Sequence, residues 1–213
     1  MDLNLNDDEQ AEAIKKWWRE NGRAVVLGVV IGLSVVVGVR YWFHYTKDQS
    51  NDASIIYSQI EKAMANNEAE VILEKGQELV SNFSNTSYAV MAGLIMAKVE
   101  LEAGKPDLAK DRLQWVISNG NEELQHTARL RLARLLLDSD NVKEADALIA
   151  GIKSAGYAAA YEELRADIAL ANGNTTQARE LYRLALAGAN GPRREFLQMK
   201  IDDISVANTA VAE

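Results

Sequence analysis

The chain has no cysteine and only two prolines among its 213 residues. Without cysteine it can form no disulfide, no thiolate metal site and no cysteine nucleophile. With prolines only at Pro106 and Pro192, little in the sequence interrupts long helices. Alanine, leucine, glutamate, lysine and arginine dominate the second half of the chain, and all of them favour helices. We therefore predict an all-α fold.

Positive charge is also scarce in most of the chain. The net charge is −8. The first 50 residues carry seven acids and six bases, so residues 51–213 carry the remaining −7. Such an acidic domain has no electrostatic footprint for nucleic acid. Nucleic acid is therefore excluded as an expected partner.

One long uncharged run stands out near the N-terminus. Residues 24–39 contain no charged side chain, and Arg40 and an aromatic cluster follow them. Residues 24–43 would form about 30 Å of helix, which matches the hydrocarbon core of a bilayer. Aromatic pairs on both sides resemble the interfacial belts of a spanning helix. We predict a transmembrane helix over 24–43, rather than a buried core helix or a cleaved signal peptide.

The bases around this run predict its orientation. Four lie on its N-terminal side and two on the other, namely Lys15, Lys16, Arg19 and Arg23 against Arg40 and Lys47. Basic residues concentrate on the cytoplasmic side of a membrane. Residues 1–23 are therefore predicted to be cytoplasmic, and the chain from residue 44 onward to be exported, which means periplasmic in a Gram-negative bacterium.

Small residues recur at four-residue spacing inside the predicted span. They are Gly28 and Gly32, then Ser34 and Gly38. This spacing lets a second helix approach closely in a membrane. Glycines are also simply common in such helices, so the alternative is that these positions have no partner.

A repeated pattern follows the predicted span. Three segments begin with glycine or aspartate and end with alanine five residues later, from Gly104 to Ala109, Asp140 to Ala145 and Gly173 to Ala178. Another alanine lies seven residues before each turn, at Ala97, Ala133 and Ala166. The final alanines are 36 and 33 residues apart. A period near 34 with one helical hairpin per unit resembles the tetratricopeptide family.

This pattern sets the predicted domain boundaries. A polar linker is expected over 44–53, a repeat domain over 54–205 and a C-terminal tail over 206–213. An earlier, less regular unit is expected over 54–82, with Asn66 at its turn. The last helix, over 192–205, begins with a proline suited to a first helical turn and would cap the α-solenoid.

Repeats of this kind usually act as binding scaffolds, on a concave face lined by the first helix of each unit. Aligning the three units on their turns predicts that face. Its candidate residues are Met91, Leu94, Lys98, Leu101, Thr127, Leu130, Arg134, Leu137, Ala160, Glu163, Asp167 and Leu170. Any one of the leucines could equally belong to the core.

Catalytic chemistry finds no support in the sequence. His44 is expected at the membrane surface, and His126 has Glu122 four residues before it but no further ligand at metal-binding spacing. Paired acids are sequence neighbours, which point in different directions on a helix. The sequence contains no nucleophile elbow, phosphate loop or dinucleotide motif. We expect no catalytic residue, metal or cofactor.

A closer resemblance extends over nearly the whole chain. The run EAIKKWWRENGRAVVLGVVIGLSVVVGVRYW and the segments LRLARLLL, ELRADIALANGNTTQARELY and MKIDDIS resemble the ancillary subunit of the bacterial Sec translocon, the YfgM family. The resemblance implies a single-pass protein of the bacterial inner membrane with a periplasmic repeat domain. It also implies association with the SecYEG translocon, with a membrane-anchored chaperone of the peptidyl-prolyl isomerase-like type and with exported client chains.

Two functions remain open at this point. The first is a non-enzymatic accessory protein of the Sec export machinery that links the translocon to periplasmic chaperones and newly exported chains. The second is a membrane tether whose N-terminal segment regulates a cytoplasmic stress-signalling protein. The two differ in which end of the chain carries the activity. Deleting residues 2–14 would spare the first function and abolish the second.

The predicted topology can be tested with reporter fusions. We expect a C-terminal fusion to alkaline phosphatase, which folds only after export, to be active. The same reporter fused after residue 23, before the span, is expected to be inactive. A C-terminal reporter that works only in the cytoplasm would contradict the predicted orientation.

Overall fold

Helices make up 86% of the chain, and the all-α prediction is confirmed. The structure is a computed structural model that describes the backbone of residues 5–210. Its description of side chains leaves out those at 5–10, 13, 43–45 and 205–210. No strand occurs within the described backbone. The nine α-helices found there are α1 (Leu5–Asn66), α2 (Ala69–Asn82), α3 (Ser87–Glu102), α4 (Pro106–Asn119), α5 (Glu122–Asp138), α6 (Val142–Ile149), α7 (Ala158–Ala171), α8 (Thr175–Ala187) and α9 (Pro192–Ala210), with a short 3₁₀ turn at Ala155–Tyr157.

The chain divides into two compact units, residues 1–51 and 52–213. In the first, residues 5–51 are helical throughout. Its apolar side chains between Val26 and Val39 are roughly half exposed, in contrast to those of a core helix. Within the described chain, α1 is the one helix long and apolar enough to cross a membrane. This fits the predicted span.

The second unit consists of helical hairpins closed by one recurring turn. The residue at each turn has a positive φ, between 58° and 80°, at Asn67, Gly104, Asp140 and Gly173. At every one of these turns, a backbone N–H just after the helix donates to the carbonyl oxygen five residues earlier, as in Lys105 to Glu100 at 2.9 Å. This hydrogen bond satisfies a carbonyl that the helix end would otherwise leave unpaired. The unit predicted over 54–82 therefore has the same turn as the others, with Asn67 and not the predicted Asn66 as its turn residue.

Alanines pack the two helices of each hairpin together. The six alanines singled out by the repeat are all buried, with exposures of 0–3% at Ala97, Ala109, Ala133, Ala145, Ala166 and Ala178. A methyl side chain lets two helix axes approach closely, because nothing longer separates the backbones. Larger side chains fill the space to the next hairpin, among them Leu113, Ile149 and Tyr182, each 4% exposed or less. The alanines that recur in the sequence are therefore the positions where the helices pack most closely.

Helix starts are set by local hydrogen bonds as well. The Asn121 side chain accepts a hydrogen bond from the Leu124 N–H at 3.0 Å, and Thr86 accepts one from Ala89 at 3.3 Å. Both are N-cap interactions that satisfy free amides of the first turn. They fix where α5 and α3 begin.

The predicted element boundaries differ from the structure at two places. Residues 44–53, predicted as a linker, lie inside α1. The last helix continues past residue 205 to Ala210, so part of the predicted tail is helical. Residues 1–4 and 211–213 of the predicted terminal segments lie outside the described residues. Polar composition alone cannot separate a linker from an exposed helix, because both leave their side chains in water.

The turn geometry predicts that replacing glycine by alanine changes stability differently at different positions. Gly104→Ala and Gly173→Ala should each lower the free energy of unfolding by about 1–2 kcal/mol, because an L-residue is strained at positive φ. Gly156→Ala is the control: this glycine is not at positive φ and has open space around its Cα. It should be neutral or slightly stabilising. Denaturant unfolding followed by circular dichroism measures all three, and equal effects would contradict the turn assignment.

Candidate interaction surface

The candidate surface lies on the first helices of successive hairpins, α3, α5 and α7. Its twelve predicted residues fall into four rows, each containing one residue per hairpin at spacings of 36 and 33. Equivalent positions in a repeat share an environment, so each row can be assessed as a set. Row one is Met91, Thr127 and Ala160; row two is Leu94, Leu130 and Glu163; row three is Lys98, Arg134 and Asp167; row four is Leu101, Leu137 and Leu170.

Row two is buried at all three positions. Leu94, Leu130 and Glu163 are 7%, 6% and 5% exposed. The two leucines belong to the core cluster of the central hairpins. Row two is therefore core and not accessible surface in this structure. The turn alignment could not distinguish it, because buried and accessible leucines look alike in sequence.

Rows three and four contain the exposed residues of the surface, whereas Arg134, Leu137 and Asp167 in the same rows are half-buried. Leu101 and Leu170 are 47% and 40% exposed, and the side chain of Lys98 is 66% exposed. Row one is half-buried throughout. The exposed part of the surface therefore combines apolar and charged side chains. Such a surface suits the binding of peptide segments that carry both kinds of side chain.

A groove about 320 Å³ in volume opens between α3, α4 and α5. Lys98 and Leu101 line it from α3, and Arg134 lines it from α5. Its further lining residues are Ala97, Ala109, Leu113, Arg131, Leu135 and Asp138. Arg131 and Asp138 are not among the residues predicted for the surface. They lie one helical turn on either side of Arg134, and that spacing was the available signal.

The hairpin before it has an equivalent groove of about 330 Å³, between α1, α2 and α3. Ile95, Lys98, Val99 and Glu102 line it, and each lies 36 residues before a lining residue of the first groove. The grooves are thus a product of the repeat. Among these four matched pairs, only Ile95 and Arg131 differ in chemical class.

The last hairpin is closed by a charged network. Glu163 contacts Arg193 and Lys200 of α9, and Lys200 also lies 2.7 Å from Asp167. The Tyr182 hydroxyl donates to Asp167. Burial raises the pKa of Tyr182 well above its usual range, and the hydrogen bond to Asp167 adds to this shift. Two predicted surface residues, Glu163 and Asp167, therefore hold the last helix in place.

His126 has a structural environment. It is 8% exposed, and its Nδ1 lies 2.8 Å from the Tyr161 hydroxyl. The Tyr157 ring packs against it at 4.9 Å. Within the described residues, no cluster of three or more potential metal ligands is found. The side chain of His44 lies outside the described residues.

The small residues of the span are exposed, with open space around Gly28, Gly32 and Gly38. Ser34 donates its hydroxyl to the Val30 carbonyl at 2.8 Å. At about 100° per residue, the two small pairs lie on different sides of the helix, roughly 120° apart. A role in helix contact remains a prediction for all four.

The charged network makes a prediction about stability. Glu163→Gln should lower the free energy of unfolding by about 1–3 kcal/mol, because two cations lose their charged partner. Glu180→Gln removes an exposed carboxylate from α8 and should change it by less than about 0.5 kcal/mol. Chemical denaturation measures both. Equal effects would show that the network does not hold α9.

The comparison with known proteins agrees with this architecture. The model of the tetratricopeptide repeat-like domain matches residues 15–206. The ancillary SecYEG translocon subunit of Escherichia coli is 29% identical over 211 residues, which cover 97% of this chain and all of that relative. Proteins with the same name from Aggregatibacter actinomycetemcomitans and Neisseria gonorrhoeae are 27% and 26% identical, each over 96% of this chain and their own full length.

These relatives confirm the resemblance noted in the sequence. The family model covers the predicted span as well as the hairpins, so the match is not limited to the repeats. The chain therefore belongs to the family with the tetratricopeptide repeat-like domain.

Proposed function

We propose that this protein is a non-enzymatic ancillary subunit of the Sec export machinery. It crosses the bacterial inner membrane once, with its N-terminus in the cytoplasm and its repeat domain in the periplasm. Its span docks on the SecYEG translocon. Its repeat domain links the translocon to a membrane-anchored, peptidyl-prolyl isomerase-like chaperone and to newly exported chains.

One observation carries this proposal: the similarity to the translocon subunits extends from end to end. The match to the Escherichia coli protein covers 97% of this chain and the whole of that relative. Shared repeats alone would produce a match limited to the hairpins. A match that includes the span supports the same organisation of anchor and domain.

The span supports contact with both lipid and a partner helix. Trp17 and Trp18 are about half exposed on one side of the apolar run, and Tyr41 and Trp42 are 74% and 67% exposed on the other. Such residues favour the two membrane interfaces. In lipid, helices associate through close packing at small residues, and Gly28 and Gly32 are adjacent on one side.

The repeat domain supports the binding of chains over the catalysis of reactions. Its accessible rows combine exposed leucines with charged side chains, and its grooves are open to solvent. An extended or partly unfolded chain offers the same mixture of groups. The grooves recur from hairpin to hairpin, so one chain could contact several of them.

Site-specific photocrosslinking in intact membranes tests the proposal. Probes at Gly28 and Gly32 are expected to capture subunits of the SecYEG translocon, and probes at Leu101 and Leu170 to capture the chaperone or exported chains. Val37 on the opposite side of the span and Leu184 on the outer face of α8 are matched controls, at 65% and 60% exposure. They should capture neither class of partner.

A different pattern of crosslinks would contradict this proposal. If probes in the span capture no translocon subunit and a probe at Glu12 captures a soluble cytoplasmic regulator, the accessory role is contradicted. The tether function would then take its place.

A further inference from the structure

One charged residue recurs at the same position of every first helix in the repeat unit. The row runs through Glu61, Lys98, Arg134, Asp167 and Lys200, with spacings of 37, 36, 33 and 33. The step of 37 matches that between the turn residues Asn67 and Gly104. Successive members lie at equivalent positions of successive hairpins, and the last two, Asp167 and Lys200, are 2.7 Å apart. The signs of neighbouring members therefore decide whether they attract or repel.

Opposite charges close the last step of this row. Lys200 of α9 lies 2.7 Å from Asp167 and 3.3 Å from Glu163, and Arg193 contacts the other Glu163 oxygen. A carboxylate on one first helix is thus held by two cations from the next. Asp167, the member of the row in α7, is in turn paired with Lys200, the member of the row in α9.

Like charges occupy the equivalent step between α3 and α5. Lys98 and Arg134 are the one pair of neighbours in the row, as far as the structure describes it, that carry the same sign. They line one groove, which stays open at about 320 Å³. Two cations repel each other across such a space, so a carboxylate bound between them would relieve that repulsion.

The groove is more basic than the domain around it. Arg131 is the third cation in its lining, and its guanidinium also donates to the Leu94 carbonyl at 3.3 Å. Against these three stand Asp138 in the lining and Glu102, which contacts Lys98 at 3.6 Å from the same helix. Since residues 51–213 carry −7 overall, this is a local concentration of positive charge.

An apolar wall lies beside these cations. Leu101 is 47% exposed at the rim, and Ala97, Leu113 and Leu135 form the inner lining. Small-molecule and peptide pockets begin at about 300 Å³, so the groove has room for one or two side chains. Because apolar side chains and cations line the groove side by side, its occupant needs an apolar group next to a negatively charged one.

We propose that the groove between α3, α4 and α5 binds an extended peptide segment in which an apolar side chain neighbours a carboxylate. The carboxylate lies between Lys98 and Arg134, as Glu163 lies between Arg193 and Lys200, and the apolar side chain packs on Leu101. This inference rests on the proposed function and specifies the chemistry of the chain segment that the repeat domain takes.

Peptide binding to the full-length protein in lipid nanodiscs tests this directly. Three short fluorescent peptides share one sequence except at a central pair, which is Leu-Glu, Leu-Gln or Leu-Lys. Fluorescence anisotropy should give about tenfold tighter binding for Leu-Glu than for Leu-Gln, the effect expected for one charge-assisted contact, and weaker binding still for Leu-Lys. Added salt should reduce the difference.

Charge-matched variants locate the site. K98Q/R134Q removes two cations from the groove, and K143Q/R183Q removes two exposed cations from α6 and α8. The first double variant should bind Leu-Glu and Leu-Gln equally, whereas the second should keep the tenfold difference. R134Q alone, with a smaller change, should reduce the difference by several-fold.

Three results would overturn the inference. They are equal binding of Leu-Glu and Leu-Gln by the unmodified protein, a difference that survives in K98Q/R134Q, and no binding of any peptide. None of them affects the capture of translocon subunits by probes at Gly28 and Gly32. Failure here is therefore distinguishable from failure of the proposed function.

Discussion

Close approach of two helices at each turn is the constraint on which the rest of the repeat unit depends. Alanines such as Ala109 and Ala145 are completely or almost completely buried between the helices of a hairpin. The residue at the turn must also adopt positive φ, as at Gly104 and Asp140. Once hairpins of this shape stack, the first helices form a continuous row of equivalent positions. The buried leucines, the open grooves and the charged row all follow from that stacking, because each position recurs in the same environment.

The same geometry gives different chemistry in different hairpins. Row two is leucine in α3 and α5 but Glu163 in α7, where a buried carboxylate would be costly without partners. Helix α9 supplies those partners through Arg193 and Lys200. Ion pairs thus hold the last helix of the stack against α7, whereas apolar packing holds the central hairpins together. At Lys98 and Arg134 the neighbouring charges of the row have the same sign, and both side chains line one groove.

The two units of the chain meet different requirements. The span exposes valine and leucine side chains over its whole uncharged length, which lipid accommodates and water does not. The repeat unit hides its apolar residues and is acidic on balance. The proposed accessory role at an export channel needs both properties, since in that role one part stays in the bilayer and the other meets chains in solution. Neither requires a catalytic group.

The helical class, the apolar span, the period of the repeat and its alanines could all be predicted from the sequence. These four features depend on local composition and spacing, both of which are present in the sequence itself. Which residues of the predicted surface are accessible could not be predicted, because it depends on how neighbouring hairpins pack. Leu94 and Leu101 are both helical leucines, yet one is 7% exposed and the other 47%. The neighbouring hairpin determines how exposed each leucine is, since burial depends on contacts between residues far apart in the chain. For the same reason, the sequence does not reveal that Arg193 and Lys200 of α9 are the partners of Glu163 in α7.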